Sequence, residues 1–265
     1  MKIRKTISQY LFHRNWHYTL NRRIRARGWD LRPWPNRMGL FGFNPELQDL
    51  ISQTSMDEAK DLGLLLEGVA RIVKLGGKLF SQLGQEALVS IHTTRVNSPF
   101  YLEIGAFHPE KYSKTASLRN YLNWDGLSVD PSSDSFEAFC RAGLEDKFLN
   151  VGIGPESGIA HLLSEGAFSK TCELPSIGTT EITILGIRQL INMNSEVHYI
   201  SLDIEGGELE IMRSFPWELC KPIVFTIEHN GDLYMKQGLR DLMITQGYRV
   251  VLNSVSSFES WFVLD

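Results

Sequence analysis

The stretch from Phe100 to Ser132, FYLEIGAFHPEKYSKTASLRNYLNWDGLSVDPS, limits the fold more than any other part of the sequence. It opens with a short run of strand-forming residues, Phe100-Tyr101-Leu102-Glu103-Ile104, and breaks at Gly105-Ala106. A polar segment compatible with a helix follows, then a second apolar run, Gly126-Leu127-Ser128-Val129, which ends on Asp130-Pro131. A buried strand, a glycine turn, a helix and a second strand ending in a carboxylate make the opening βαβ unit of a nucleotide-binding α/β sheet.

The rest of the chain fits around that unit. Upstream, Leu62, Leu65, Leu66, Val69, Ile72 and Val73 recur at helical spacing until Gly76-Gly77, and a second helix is expected from about Gln85 to Thr93. Downstream, strands are expected at Lys147 to Ile153, Gly158 to Leu163, His198 to Asp203, Pro222 to Ile227, Tyr248 to Leu252 and Phe258 to Leu264. Helices are expected at Ile182 to Asn192, Glu208 to Phe215 and Gly238 to Thr245, and Ser164 to Thr180 reads as a loop of the lid or substrate-facing kind. The last two strands are joined by a short connection, which makes them antiparallel neighbours. The expected division is a basic aromatic arm over 1–45, a helical segment packed on the core over 46–95, and a cofactor-binding domain over 96–265.

Charge is unevenly spread. The net charge is −4, yet residues 1–40 carry Lys2, Arg4, Lys5, Arg14, Arg22, Arg23, Arg25, Arg27, Arg32 and Arg37 against a single acid, Asp30. Tyr10, Phe12, Trp16, Tyr18, Trp29 and Trp34 are interleaved with them, a composition suited to peripheral contact with an anionic membrane or an acidic partner. An extension that packs its aromatics on the main domain satisfies the same pattern. No nucleic-acid reading motif is present, so no nucleic-acid partner is expected. The cysteines Cys140, Cys172 and Cys220 lack metal-type spacing and read as reduced thiols of a cytoplasmic protein. The longest apolar region, Leu62 to Leu75, is interrupted by Glu67, Arg71 and Lys74, so no membrane span is expected.

A dinucleotide site wants Gly-x-Gly-x-x-Gly at the first turn, whereas here Gly105 is followed by Ala106, Phe107, His108 and Pro109. Pyrophosphate binding is therefore not expected. Glu103 is placed to serve an ammonium group, directly or through water, and Asp130 to accept both hydroxyls of a ribose. A nucleoside joined to an amino acid is S-adenosylmethionine. The second constellation is Asp203-x-Glu205-Gly206-Gly207-Glu208 at the end of one strand, with Glu228-His229-Asn230 at the end of the next. Both are expected to face the same crevice as Gly105 and Asp130, because ligands of open α/β sheets collect at the carboxyl ends of the strands. His229 or Asp203 is the candidate general base for a hydroxyl acceptor, with Glu205 and Glu228 beside them, and Glu208 is read as stabilising its helix dipole. Asp203, Glu205, Glu228 and His229 also suit a divalent metal such as magnesium, a reading the sequence leaves open.

The motifs SQLGQE at 81–86, YLEIGAFHPEKYSKT at 101–115, LSVDPS, FLNVGIG, YISLDIEGGELEIMRSF and FTIEHN, in that order, resemble the FkbM family of S-adenosylmethionine-dependent methyltransferases. The resemblance runs from about Phe80 to the C-terminus. It implies an α/β, Rossmann-like class I methyltransferase fold, with a mostly parallel seven-stranded sheet, helices on both faces, an antiparallel C-terminal strand and a helical N-terminal extension. It also implies O-methylation of a sugar, glycan or secondary-metabolite hydroxyl. Carried onto this chain, Glu103, Gly105, Ala106, Asp130, Asn150 and Asp203 lie round the cofactor, with Pro131, Ser132, Val151 and Gly152 completing the same walls. His108 stands where many members have a glycine and is expected to point into the site. Ser81, Gln82, Tyr112, Ser113 and Thr115 are candidates for the methionine end of the cofactor or the acceptor. The competing expectation is a methyltransferase-like binding module that performs no chemistry and is held to a membrane or acidic partner by the arm.

Overall fold

The computed structural model describes residues 56–163, 170–172, 178–194, 196–253 and 258–265. The basic aromatic arm and much of the 164–180 segment lie outside the described residues. A helix α1 (Met56–Lys74) and a helix α2 (Gln85–His92) lead into strand β1 (Phe100–Ile104), helix α3 (Ala116–Leu122), strand β2 (Asp125–Val129) and helix α4 (Ser133–Arg141). Strands β3 (Phe148–Leu149), β4 (Gly152–Gly154), β5 (Gly158–Leu163), β6 (Lys170–Cys172) and β7 (Thr179–Gly186) follow. The chain closes with helix α5 (Ile187–Asn192), strand β8 (Tyr199–Leu202), helix α6 (Glu208–Arg213), strand β9 (Val224–Glu228), helix α7 (Leu233–Thr245) and strands β10 (Tyr248–Val251) and β11 (Glu259–Leu264).

Seven strands form one sheet in the order β10-β11-β9-β8-β1-β2-β3. β1, β2, β3, β8 and β9 are parallel, and β11 runs antiparallel to both β9 and β10, as the short final connection requires. The chain runs outward from β1 through β2 to β3, then returns to pair β8 on the other side of β1. That reversal opens a crevice at the carboxyl ends of β1 and β8.

Strand alternation divides the core in two. Leu102 and Ile104 of β1, Ile200 and Leu202 of β8, Phe225 and Ile227 of β9 and Phe262 of β11 bury one face with Ile187, Leu190, Leu209, Leu239 and Met243 from α5, α6 and α7. Tyr101, Tyr199, Val224, Trp261 and Val263 bury the other with Leu65, Val69 and Ile72 of α1, Ala87 and Leu88 of α2, and Leu118 of α3. The close packing of α1 on α2 requires Gly68, where a Cβ would lie 2.0 Å from Ala87 O.

Several elements differ from the sequence expectation: the expected loop over Ser164 to Thr180 carries β6 and the start of β7, and the helix expected from Gly238 begins at Leu233. The expected strand over Lys147 to Ile153 is split: a 3-10 turn (Glu145–Lys147) precedes β3, and the chain then turns at Asn150-Val151 into β4 of a different sheet. That second sheet has four strands in the order β4-β7-β5-β6. The expected helix from Ile182 begins only at Ile187, because Thr179, Thr180, Ile182, Thr183 and Ile184 are β-branched and pair antiparallel with β5 over its whole length. Apolar spacing alone did not separate the strand end from the helix start.

α1 is also tied to the sheet by charge. Asp61 is buried, and Arg249 of β10 donates to it through both terminal guanidinium nitrogens, at 2.8 and 2.9 Å. Breaking one side of a buried ion pair costs about 3–5 kcal/mol, less where one partner is partly exposed, as Arg249 is. Asp61→Ala is expected to lower stability by about 2–3 kcal/mol; an unchanged urea midpoint would show that the pair contributes nothing net.

Candidate active site

The polar groups of the site arise from the same alternation that builds the core. On the face covered by α1 and α2, β1 reads Tyr101, Glu103, Gly105, β8 reads Tyr199, Ser201, Asp203, and β9 reads Val224, Thr226, Glu228. Each strand passes from an apolar residue to a polar one as it approaches its carboxyl end. Lateral register then places Glu103, Ser201 and Thr226 side by side. One step further on, a cavity is lined by Gln82, Glu103, Gly105, Ala106, Phe107, Lys111, Tyr112, Lys114, Asp130 and Pro131 from the β1 and β2 side. Ser201, Asp203, Ile204, Glu205 and Glu228 close the other side, and Gly152, Ile153 and Leu162 of the second sheet complete the wall.

Gly105 marks the crossing point. Its φ is +83°, and a Cβ would lie 1.6 Å from Asp203 O, so two constraints exclude a side chain there. The N–H groups of Gly105 and Ala106 donate to Val129 O at 2.8 and 3.1 Å, which turns the chain across the end of β2. There Asp130 accepts from Ser132 N at 2.8 Å through Oδ1 and from Phe107 N at 3.1 Å through Oδ2. Burial raises the Asp130 carboxyl, partly offset by those two N–H bonds.

Glu103 is buried and fully engaged by the chain itself. It accepts from Ser113 Oγ at 3.1 Å, Lys114 N at 2.6 Å and Thr115 Oγ1 at 2.5 Å. Its carboxylate thus organises the loop before α3 and fixes where Lys114 goes. Lys114 is buried, and its Nζ lies 2.8 Å from Asp203 Oδ2 and 3.7 Å from Glu259 Oε1. Glu259 also accepts from Gln85 Nε2 at 2.5 Å, which connects α2 to the same network.

Burial works against the charge of Lys114, yet the Asp203 and Glu259 carboxylates outweigh it and hold the ammonium well above its usual range. For Asp203, burial pushes upward, and Lys114 reverses the sign and holds the carboxyl below its usual value. For Glu228 the compensation falls short: burial, then hydrogen bonding with Asp203 and its negative charge, push its carboxyl up to about 10 against a smaller opposing pull from Lys114. At neutral pH the pair therefore shares one proton, with Asp203 its more acidic member.

The structure brings together Asp203, Glu205 and Glu228, whose ligand atoms all lie within 4.8 Å of one another. Glu205 sits at φ +60°, followed by Gly206 and Gly207 at positive φ, and Asn230 Nδ2 donates to its Oε2 at 3.1 Å. His229, expected beside them as a base, is instead buried at the end of β9, where its Nδ1 accepts from Gly231 N at 3.2 Å and its ring does not line the cavity. Burial lowers its pKa. Glu208 does more than face a helix dipole: it is buried, and its Oε1 accepts from Ile204 N and Gly206 N at 3.2 and 2.9 Å, bracing the Glu205 turn.

Several expected cofactor contacts have structural duties instead. His108 caps its own turn, its Nδ1 accepting from Glu110 N and Lys111 N, and it borders a separate recess with Arg119 and Arg141. Asn150 donates to Asp130 O and Ser132 O at 2.9 and 3.0 Å, and Ser132 caps α4 by accepting from Asp134 N. Ser81 pairs with Glu86 and caps the entry to α2, and Ser113 and Thr115 serve Glu103. None of these, nor Val151, lines the cavity, whereas Gln82, Tyr112, Pro131 and Gly152 do. Lys114, Glu259, Gln85 and Ser201 were not anticipated. A lysine between Ser113 and Thr115 in a helix-approach loop gives no sign in sequence that it will be buried.

A sheet of this order with one reversed strand, and a polar cavity at its reversal point, defines a class I methyltransferase fold. A family model described as "Methyltransferase FkbM domain" matches residues 103–250, and the chain belongs to that family. It is a methyltransferase whose cofactor is S-adenosylmethionine. Comparison with curated proteins gave no match. Among solved structures, the chain is similar to the METTL16 MTase domain, at 12% identity and TM-score 0.40, covering 77% of this chain and 80% of that one. It is also similar to S-adenosylhomocysteine-bound PaMTH1 of Podospora anserina, at 13% identity and TM-score 0.39, covering 86% and 100%. A putative O-methyltransferase from Klebsiella pneumoniae gives 12% identity and TM-score 0.38, covering 82% and 96%. Likenesses at this level carry no weight for the chemistry of this chain.

The proton on Glu228 has a consequence for stability. Its folded pKa lies far above that of an unfolded glutamate, so its stabilising contribution is full below the ordinary glutamate range and is lost as pH rises toward about 10. Glu228→Gln, which keeps the shape without the charge, is expected to melt higher than the parent near about pH 8 in EDTA, with the difference vanishing near about pH 4. Thermal melts across that range check it; equal melting temperatures at both ends would place no buried proton on Glu228.

Proposed function

We propose that this methyltransferase acts on oxygen, methylating a hydroxyl of a glycan or related secondary metabolite. The observation that carries the reading is the ionised Asp203 carboxylate, held by the buried Lys114 ammonium and opening into the cavity beside Glu228. The wall around it carries five carboxyl groups and two lysines, which suits a polyhydroxylated acceptor.

The cavity also fits the cofactor. Asp130 stands at the end of β2 with its carboxylate oriented by two backbone N–H groups, suited to accepting ribose hydroxyls, and Gly105, Ala106 and Gly152 keep the adjoining walls free of bulk. Ser201 is buried on the same wall, and its Oγ has no hydrogen-bond partner among the described residues, so it has a hydroxyl to offer a polar ligand group. Bound there, the cofactor supplies an electrophilic methyl group carried on a sulfonium.

Asp203 is the group assigned to the acceptor proton. Its lowered pKa makes it a weak base, but a hydroxyl oxygen that is gaining a bond to carbon becomes strongly acidic, and a low-pKa carboxylate suffices to take its proton. Lys114 keeps Asp203 ionised and fixes its orientation, so the acceptor hydroxyl is aligned before transfer.

Calorimetry with S-adenosylhomocysteine on the full chain is expected to show binding, weakened at least ~10-fold in Asp130→Ala through loss of a charged hydrogen-bond partner. With a methyl-labelled donor and a panel of glycosides and hydroxylated metabolites, label is expected in a base-stable ether. Asp203→Asn is expected to reduce kcat by about 10²-fold or more. Label in a base-labile ester or on nitrogen would overturn the hydroxyl reading, and unaltered binding by Asp130→Ala would overturn the ribose placement.

A further inference from the structure

We infer that Asp203, Glu205 and Glu228 form a site for a hard divalent cation of the magnesium or manganese class, at the acceptor side of the cavity. The three carboxylates come from the ends of different strands, β8 and β9, yet each offers a ligand atom within 4.8 Å of the others, and all three line one cavity. Three carboxyl groups gathered this closely in a partly dry site present a negative potential that a cation can occupy.

The protein's own cation covers one side only. Lys114 reaches Asp203 Oδ2, and its second neighbour is Glu259, which faces away toward Gln85. Glu228 is the separate observation that points to a ligand. It is 8% exposed, and apart from its interaction with Asp203 in the same cluster its Oε2 is shielded from solvent with no hydrogen-bond donor among the described residues. A buried carboxylate oxygen facing a cavity without a donor is costly to maintain, and a metal ion removes that cost.

The donor chemistry selects the class of ion. The cluster presents carboxylate oxygens and neither sulfur nor imidazole, since His229 lies outside it, which favours hard ions over zinc or copper. Three protein ligands leave coordination positions for water and for an oxygen of the acceptor. The site is pre-positioned by Asn230, which holds Glu205 through Oε2, and by Glu208, which braces the turn that carries Glu205. The role of such an ion rests on the hydroxyl reading proposed above: it would bind the acceptor oxygen and lower its pKa next to Asp203. Its binding does not depend on that reading.

The test is titration of Mn2+ into the full chain at physiological salt, followed by the electron paramagnetic resonance signal of free Mn2+. One saturable site, displaced by Mg2+ and weakened at least ~10-fold in Glu205→Gln and in Glu228→Gln, is expected. Glu205 lies on a partly exposed turn, so its variant keeps the test valid if the Glu228 variant fails to fold, and circular dichroism checks both. Absence of saturable binding, or equal binding by the parent and Glu205→Gln, would overturn the site and mark adsorption to an acidic surface. S-adenosylhomocysteine calorimetry on the parent in EDTA separates this inference from the cofactor reading. Cofactor binding without Mn2+ binding overturns the metal site alone, and Mn2+ binding without cofactor binding overturns the cofactor reading alone.

Discussion

The buried ammonium of Lys114 is the interaction on which the rest of the site depends. It belongs to the loop after β1, yet it contacts Asp203 after β8 and Glu259 on β11, and through Glu259 it reaches Gln85 of α2. Elements spread over more than half the chain are thereby tied to one charge. Removing one partner of such a network typically costs about 3–5 kcal/mol, because the groups left behind are buried and uncompensated. The network persists because Glu103, lying beneath, engages Ser113, Thr115 and the Lys114 backbone and so determines the path of the loop.

Stability and function draw on the same strand alternation. Tyr101, Tyr199 and Val224 fill the core beneath α1 and α2, and two residues further along each strand the same face carries Glu103, Ser201 and Thr226. Helix cover is what allows this. Where α1 and α2 pack, the face must be apolar; where they end, it borders the cavity and polar groups are admitted. The second sheet adds Ile153 and Leu162 to the opposite wall, so that the carboxylates are partly sequestered from water. Partial sequestration separates the ionisation of Asp203 from that of Glu228, since desolvation acts on both and only Asp203 is in direct contact with the ammonium.

Much of the fold was legible because its signals are local. The Phe100–Ser132 unit, the Asp203 and Glu228 strand ends and the antiparallel closing pair follow from runs, turns and connection lengths. Of the second sheet only β5, expected at Gly158 to Leu163, was legible, because β4 follows a turn inside one apolar run and β7 merges into a helix, so that only their pairing distinguishes them. For the site, Asp203, Glu205 and Glu228 were read together correctly as facing one crevice, since strand ends of a parallel sheet converge by construction. The family resemblance puts His108, Asn150 and Ser132 at the cofactor, and its strand end makes His229 a candidate base, yet each is engaged with backbone groups of its own turn or a neighbouring one.

By itself the sequence determined the opening βαβ unit and the acids that meet at the strand ends. These depend on residue type and spacing within single elements, which the chain states directly. Tertiary structure alone decided which polar groups are spent on the protein and which remain for a ligand. Glu103, predicted as a ligand contact, is engaged by Ser113, Lys114 N and Thr115, and Lys114, which attracted no notice, became the counter-charge of the site. The reason is physical: burial and hydrogen-bond saturation depend on segments far apart in sequence meeting in space, and no local pattern encodes them.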